Sequence, residues 1–384
     1  MRQEIFATTP RIVMGAGSLA RVGDEVKRQN GTSVLIVTDP GVAGTGIVER
    51  LEGILKDAGL AVARFDKVEA DPRYEIVEDS LAALRAAKAD TVIGIGGGSS
   101  LDMAKITAVM AVNEGPVGRY FGIDLVPQPG LKTILIPTTA GTGSEVTPIV
   151  ILSDHHEKLK KGVVSPYLFP SCALLDPELT LGLPPAVTAA TGMDALIHAL
   201  EAYTSKNATA MSDVLAREAI GLVFHNIRTA YANGENLEAR SNMLRGSLLA
   251  GMAFANAGVT AVHAFAYPIG AEFHIPHGVA NTIMLVPVMR FNQTGNLPRF
   301  ARLAELLGEN TAGLNQRQAA ARAVAALTDL AEDLRVPQHL SAFGVKEGDI
   351  PNLAAGVMKV TRLLANNPRR LAVEDAEAIY REAL

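Results

Sequence analysis

Residues 91–105 read TVIGIGGGSSLDMAK. A β-branched run enters three successive glycines, Gly96, Gly97 and Gly98, and Ser99 and Ser100 then open a helix. Glycines let the backbone approach a bulky anion and adopt positive φ. The N–H groups exposed at the helix start, together with the helix dipole, favour negative charge. A diphosphate fits such a turn. The plain alternative is a βα connection with a serine cap.

The pattern continues on both sides of this stretch. VLIVTD (34–39), AVARF (61–65) and TILIP (133–137) read as strands. Residues 46–58, with Ile47, Leu51, Ile54 and Leu55 on one face, and residues 74–87 read as amphipathic helices. Strands alternating with helices predict a parallel sheet covered on both faces. From Pro185 onward the character changes to long Ala/Leu-rich segments at 186–204, 209–231, 236–256, 259–271, 296–306 and 317–333. The paired prolines of LGLPPAV (181–187) mark the boundary. The expected fold class is therefore α/β plus all-α. Residues 1–184 form a Rossmann-like, dinucleotide-binding parallel-sheet domain, and residues 185–384 form an all-helical domain.

Composition excludes several function classes. The 384 residues are 48% hydrophobic and 20% charged, a core-forming balance that a disordered chain lacks. With 35 Lys+Arg against 40 Asp+Glu the net charge is −5, which offers no electrostatic footprint for nucleic acid. Apolar runs fall short of the ~20 residues that cross a bilayer. The single cysteine makes no internal disulfide, and MRQEIFATTP lacks a signal-peptide core. The expectation is a cytoplasmic enzyme with no nucleic-acid or membrane partner.

Three further segments bear on nucleotide binding. Gly15-Ala16-Gly17-Ser18-Leu19-Ala20 matches G-x-G-x-x-A, with Asp39 following 22 residues after Gly17. The strand before it, Ile12–Met14, is very short, so the segment reads as a turn before the first helix. Asp39 ends a good strand. Its carboxylate can accept hydrogen bonds from an adenosine ribose and would repel a 2′-phosphate, which favours NAD over NADP; as an Asx-turn residue before Pro40-Gly41 it needs no ligand. PTTAGTGSEVT (137–147) sets Thr138, Thr139, Thr142, Ser144 and Thr147 in one loop at a strand end. It can wrap a ribose, a phosphate or an amide, or serve as a polar connector.

The histidines supply the remaining chemistry. Asp194 and His198 stand four apart in TGMDALIHALEAY, which on a helix places both on one face. His263 and His277 follow within VTAVHAFAYPIGAEFHIPHGVAN. One carboxylate and three imidazoles make a four-ligand set for a divalent first-row metal, Fe²⁺ or Zn²⁺. Taken singly, each histidine reads equally as a core or surface residue. His274 is a candidate to support one of these ligands from behind, or a bystander. His155 and His156 fall in a polar loop, and His225 and His339 show no partner pattern.

In combination these residues resemble the iron-containing (group III) alcohol dehydrogenases, which share the dehydroquinate synthase-like fold. The resemblance spans nearly the whole chain through GGGSSLDMAK, PTTAGTGSEVT, DPELTLGLPPAVTAATGMDALIHALEAY and the His263–Gly278 block. It implies metal ligation by Asp194, His198, His263 and His277. It implies NAD binding by Asp39, Gly97, Gly98, Ser99, Asp102, Thr138, Thr139, Thr147, Lys160, Leu179 and Gly182, with Phe254 lining the substrate pocket. The implied reaction is reversible hydride transfer between a small primary alcohol or aldehyde and NAD(H), with a divalent metal polarising the alcohol, in a homo-oligomer that is a dimer or larger.

The chain departs from the family pattern at three places. Tyr267 stands where many members carry a further histidine, which leaves Tyr267 or His274 as candidates for the proton path. Asp71 replaces a frequent asparagine, so one cofactor contact loses its amide donor. Ile149 and Ile151 put apolar side chains where a less polar alcohol would be preferred over a diol. Two relatives in chemistry remain as alternatives, a metal-independent maleylacetate-type reductase and a hydroxyacid-oxoacid transhydrogenase. Outside catalysis, the glycine and threonine loops alone would also suit a non-catalytic nucleotide-binding protein.

Overall fold

The computed structural model describes residues 3–154 and 159–384. His155 and His156 lie outside the described residues. The chain divides into two compact units, one of residues Thr8–Gly182 and one of residues Leu183–Leu384 joined by the residues up to Ala7. Asn256 holds the latter in place, accepting from the Ala7 N–H (2.8 Å) and donating to the Ala7 carbonyl (3.0 Å).

Among the described residues the first unit is built on nine strands: β1 (Ile12–Met14), β2 (Ser33–Val37), β3 (Ala61–Phe65), β4 (Thr91–Gly96), β5 (Gly122–Ile123), β6 (Lys132–Pro137), β7 (Ile149–Asp154), β8 (Leu159–Val164) and β9 (Cys172–Leu175). Six of them form a parallel sheet in the order β1-β9-β6-β4-β2-β3. The other three form a small sheet, β5-β8-β7, in which β7 and β8 run antiparallel. Helices α1 (Val22–Arg28), α2 (Pro40–Ala43), α3 (Ile47–Asp57), α4 (Ile76–Ala87) and α5 (Gly98–Met110) connect the large sheet.

Side chains alternate across a strand, so each central strand feeds two cores. Leu35, Val37, Val92 and Leu135 pack with Leu81, Leu84, Leu101 and Met103 from α4 and α5. Val34, Ile36, Ile93, Ile95, Ile134 and Ile136 pack on the opposite face with Val26, Leu51 and Leu55 from α1 and α3. That double burial is why these strands read as continuous apolar runs. Each such side chain contributes about 1.5–3 kcal/mol on burial.

Strand order reverses at the centre of the sheet. From β2 the chain moves out to β3, returns to β4 on the other flank of β2, and continues through β6 to β9. Ligands of open α/β sheets bind beyond the carboxyl ends of the strands at such a switch point. Here those ends carry Asp39, after β2, and the Gly96–Ser100 turn, after β4.

The second unit is helical: α6 (Pro185–Thr204), α7 (Ala210–Ala232), α8 (Leu237–Ala257), α9 (Ala261–Phe273), α10 (His277–Asn292), α11 (Leu297–Leu306), α12 (Gln316–Asp333), α13 (Ile350–Lys359), α14 (Thr361–Leu364) and α15 (Val373–Ala383). The structure adds α10, α13, α14 and α15 to the helices expected from sequence. Pro185 sits in the first turn of α6, where a missing N–H costs nothing. From Gly192 to Thr204 every residue of α6 is buried. A helix enclosed on all sides should be apolar all round. This one carries Asp194, His198 and Glu201 instead. Among the described residues, no single helix is long and apolar enough to cross a membrane.

Candidate metal centre and dinucleotide turn

The polar residues of α6 meet their counterparts from α9 and α10. The Asp194 Oδ1 lies 3.7 Å from His263 Nε2 and 3.8 Å from His277 Nε2, and its Oδ2 lies 3.9 Å from His198 Nδ1. Ligand atoms of Asp194, His263 and His277 fall mutually within 4.8 Å. His198 joins through its own Nε2, 3.0 Å from that of His263, with the two rings stacked at 4.6 Å. Asp194, His198 and His263 are buried; His277, with 31% of its side chain exposed, forms the open side.

Close helix approach makes this convergence possible. A Cβ on Gly278 would stand 2.2 Å from the Ala190 carbonyl oxygen. Only a glycine next to His277 lets α10 start against the backbone of α6.

The donor chemistry fits a divalent metal. His263 Nδ1 meets Glu201 Oε2 at 2.5 Å, an arrangement that keeps the proton on Nδ1 and turns the Nε2 lone pair toward Asp194. Two imidazole lone pairs 3.0 Å apart repel unless a proton or a cation lies between them. The Asn281 amide nitrogen donates to Asp194 Oδ1 (2.8 Å) and faces both His263 Nε2 and His277 Nε2 at 3.2 Å, so the cluster presents acceptors to one point. Asn281 Oδ1 is buried and has no hydrogen-bond partner among the described residues. Burial alone would raise the Asp194 pKa, but the imidazoles of His198, His277 and His263 and the Asn281 amide hold it below the usual carboxylate range. Burial likewise opposes charge on His263, and the Glu201 carboxylate outweighs it, setting that pKa above the ordinary histidine value.

The nucleotide-type turn is equally ordered. Gly97 precedes α5 in an extended conformation, with no side chain capping the helix. A Cβ on Gly98 would meet Thr142 Cγ2 at 2.7 Å, so the 137–147 loop rests directly on the turn. Ser100 Oγ donates to Asp39 Oδ2 (3.0 Å), and Asp39 Oδ1 accepts from Val42 N–H (3.0 Å) at the start of α2. The Asx-turn role is thus realised, and the carboxylate stands beside the glycines as well. The rival Gly15–Ala20 turn already holds an internal anion: Asp176 accepts from Gly17 N–H (3.1 Å) and Leu19 N–H (2.9 Å).

A buried lysine fixes the loop. Lys105, 1% exposed, ion-pairs with Asp102 (3.0 Å) and donates to the carbonyls of Ser144 (3.1 Å) and Ile149 (2.5 Å). Asp102 accepts from Ser144 Oγ (2.5 Å) and Ile151 N–H (2.9 Å). These bonds tie Asp102 to the loop, and its side chain stays 14% exposed. Thr147 is drawn into the same network and buried. Thr138 is buried with its N–H on the Gly96 carbonyl (3.0 Å), and Thr139 lies beside Gly97.

The other expected positions scatter. Lys160 donates to Asp71 Oδ1 (2.6 Å), joining two of them; Asp71 holds a positive φ of 50°. Leu179 is buried in the same core cluster as Val34 and Ile36, and Gly182 is exposed. Ile149 and Ile151 share one half-buried face of β7. Phe254 stacks on His198 at 4.3 Å. Tyr267 is half-buried, 6.3 Å from the His277 ring between centroids, and burial raises its phenol pKa. His274 is exposed in a left-handed position (φ 55°) at the end of α9, and no hydrogen bond among the described residues ties it to the cluster. Sequence reasoning missed Glu201, Asn281 and Lys105. Glu201 had a signal, since Asp194, His198 and Glu201 form an i, i+4, i+7 stripe along an otherwise apolar segment.

Comparison with known proteins follows the same two units. Residues 9–177 match the family profile described as iron-containing alcohol dehydrogenase, and residues 188–384 match that of the Fe-containing alcohol dehydrogenase family, C-terminal. The chain belongs to the iron-containing alcohol dehydrogenase family. It is 43% identical to a 1,3-propanediol dehydrogenase of Klebsiella pneumoniae over 96% of each chain. It is 38% identical to an NAD-dependent methanol dehydrogenase of Bacillus methanolicus over 99% of each. The crystal structure of a 1,3-propanediol oxidoreductase superposes with a TM-score of 0.98 at 41% identity, covering all of both chains. The expected family and fold class therefore stand.

Two substitutions test this geometry. Gly278→Ala should force α10 off α6, costing about 1–3 kcal/mol by overpacking and lowering metal content, read by thermal denaturation and elemental analysis. Glu145 tests the loop. Its side chain is buried beside Lys105, its Oε1 has no partner among the described residues, and burial raises its pKa from 4.5 to about 7. The unfolded chain releases that proton near 4.5 and the folded one near 7, so stability falls as pH rises through this window, by about 3 kcal/mol once complete. Glu145→Gln removes the titration, so its melting temperature should gain on wild type between pH 5 and pH 8. A constant difference across that range would show that Glu145 is not raised.

Proposed function

We propose that this family member interconverts a small primary alcohol and its aldehyde using NAD(H), with residues 1–184 binding the dinucleotide and residues 185–384 holding a divalent metal, Fe²⁺ or Zn²⁺. The observation that carries the reading is the convergence of one carboxylate and three imidazoles on a buried point where α6, α9 and α10 meet. The names of the similar alcohol dehydrogenases support the substrate class, and that of the methanol dehydrogenase supports NAD.

Asp194, His198, His263 and His277 would hold the metal. Gly97, Gly98, Ser99 and the uncapped start of α5 would hold the diphosphate, and Thr138 and Thr139 would face the bound cofactor. Asp39 would take the adenosine ribose, and its charge would disfavour a 2′-phosphate. Lys160, held by Asp71, Leu179 and Gly182 would complete the dinucleotide contacts. When bound, the two groups supply Lewis-acid polarisation of an alcohol oxygen and uptake of its hydride. The chain's own part is to orient and to manage the proton. Phe254, stacked on His198, presents an apolar wall to a small alcohol carbon chain. Tyr267, its ring 6.3 Å from that of His277, would relay the proton released from the alcohol. The lone cysteine, buried in β9, suits a reducing cytoplasm. The homo-oligomeric state rests on the family resemblance.

Elemental analysis of anaerobically purified protein, beside NADH production from a panel of primary alcohols, tests the reading. About one Fe or Zn per chain should be found, and His263→Ala should lose both metal and turnover. Metal-free wild type that still reduced NAD would move the chain to the metal-independent reductases. In the same assay, a Tyr267→Phe variant with an unchanged pH–rate profile would remove the phenol from the proton path.

A further inference from the structure

Glu201 touches neither a reacting atom nor any of Asp194, His198 and His277 at hydrogen-bond distance, yet it is fully buried in α6. Its two oxygens take three donors. Oε1 accepts from Thr260 Oγ1 (2.6 Å) and Val262 N–H (2.7 Å), and Oε2 meets His263 Nδ1 (2.5 Å). Thr260 and Val262 lie at the start of α9, where N–H groups lack intrahelical partners. No side chain of Thr260 itself caps that helix; Glu201 does so from α6.

We infer that Glu201 is a positioning residue for the metal: it locks α9 to α6 and holds His263 as the tautomer whose Nε2 faces Asp194. This inference rests on the metal-site reading above. Donor and acceptor count sets glutamate apart from glutamine at this position. A carboxylate accepts on both oxygens, whereas an amide has one accepting end and one donating end. With glutamine at 201, an oxygen toward Val262 and Thr260 leaves NH₂ against His263 Nδ1, which then must accept and sends its proton to Nε2. The reverse orientation sets NH₂ against the Val262 N–H, leaving two buried donors face to face. No rotamer of the amide satisfies all three partners while leaving the His263 proton on Nδ1. Partners of this kind, which fix a ligating histidine, typically matter 10–100-fold in metal affinity.

The experiment strips wild type and Glu201→Gln with chelator and titrates Zn²⁺ against a chromophoric competitor. The variant should bind Zn²⁺ about 10–100-fold more weakly while its stripped form melts near the stripped wild type. Equal affinities would overturn the inference and leave the metal site standing. Wild type that binds no metal would overturn the site itself and this inference with it. The ¹⁵N spectra of histidine rings in zinc-loaded wild type provide a reading that does not depend on the variant folding. His263 should carry its proton on Nδ1 and metal on Nε2, a signature that a purely structural role for Glu201 does not require. Metal on Nδ1 would overturn the proposal.

Discussion

The fold of the helical unit is organised around a conflict between burial and charge. Helix α6 is enclosed from Gly192 to Thr204, and yet one of its faces bears Asp194, His198 and Glu201. Unpaired polar groups in such a place cost several kcal/mol. Each has an answer from another helix. Glu201 spends its acceptors on α9 and His263. Asp194 converges with His263 and His277, whose ligand atoms could hold a metal ion, and His198 lies 3.0 Å from His263. Gly278 removes the side chain that would hold α10 away, and Asn281, one turn beyond His277, donates into the same cluster. Packing and ligand placement are therefore one constraint: any change that moves α10 or α9 also moves an imidazole.

The sheet unit is arranged around a helix start that no side chain caps. Strand order reverses between β2 and β4, which brings Asp39 and the Gly96–Ser100 turn side by side. The turn carries no side-chain cap, and the 137–147 loop lies on it at a separation only Gly98 permits. That loop is held from beneath by buried Lys105 and its partner Asp102, which bond to Ser144, Ile149 and Ile151. A buried pair adds little to stability by itself. Its value here is that a chain of hydroxyl-bearing residues has one conformation beside the glycines.

Much of this was legible in the residues because its causes are local. Strands β2, β3, β4 and β6 announce themselves as apolar β-branched runs, and the long helices by their Ala/Leu composition. Asp194 and His198 are visible as an i, i+4 pair. The remainder depends on partners far away in sequence. Strand β1 is three residues long and exists because β9, some 160 residues later, pairs with it. Helix α10 shows no amphipathic period, since Ala280 through Leu285 are all buried, and Pro287 sits inside it. His263 and His277 therefore join Asp194 by residue type, as further imidazoles for a four-ligand set, and by family resemblance, not by spacing. The resemblance implies a cofactor role for Asp102, and no local signal shows that its carboxylate also bonds Lys105, Ser144 and Ile151. Nothing local marks Lys105 as buried; the exchange of water for four carbonyl and carboxylate partners is set by the tertiary fold.

The central claim is that one cation binds where α6, α9 and α10 converge and is held by Asp194, His198, His263 and His277. Anomalous diffraction from crystals of the metal-loaded enzyme, collected at the absorption edge of the bound metal, tests it most directly. The account predicts a single anomalous peak in contact with those four side chains, with Glu201 on the far nitrogen of His263. A peak coordinated elsewhere, or one that leaves His198 or His277 without contact, would contradict it.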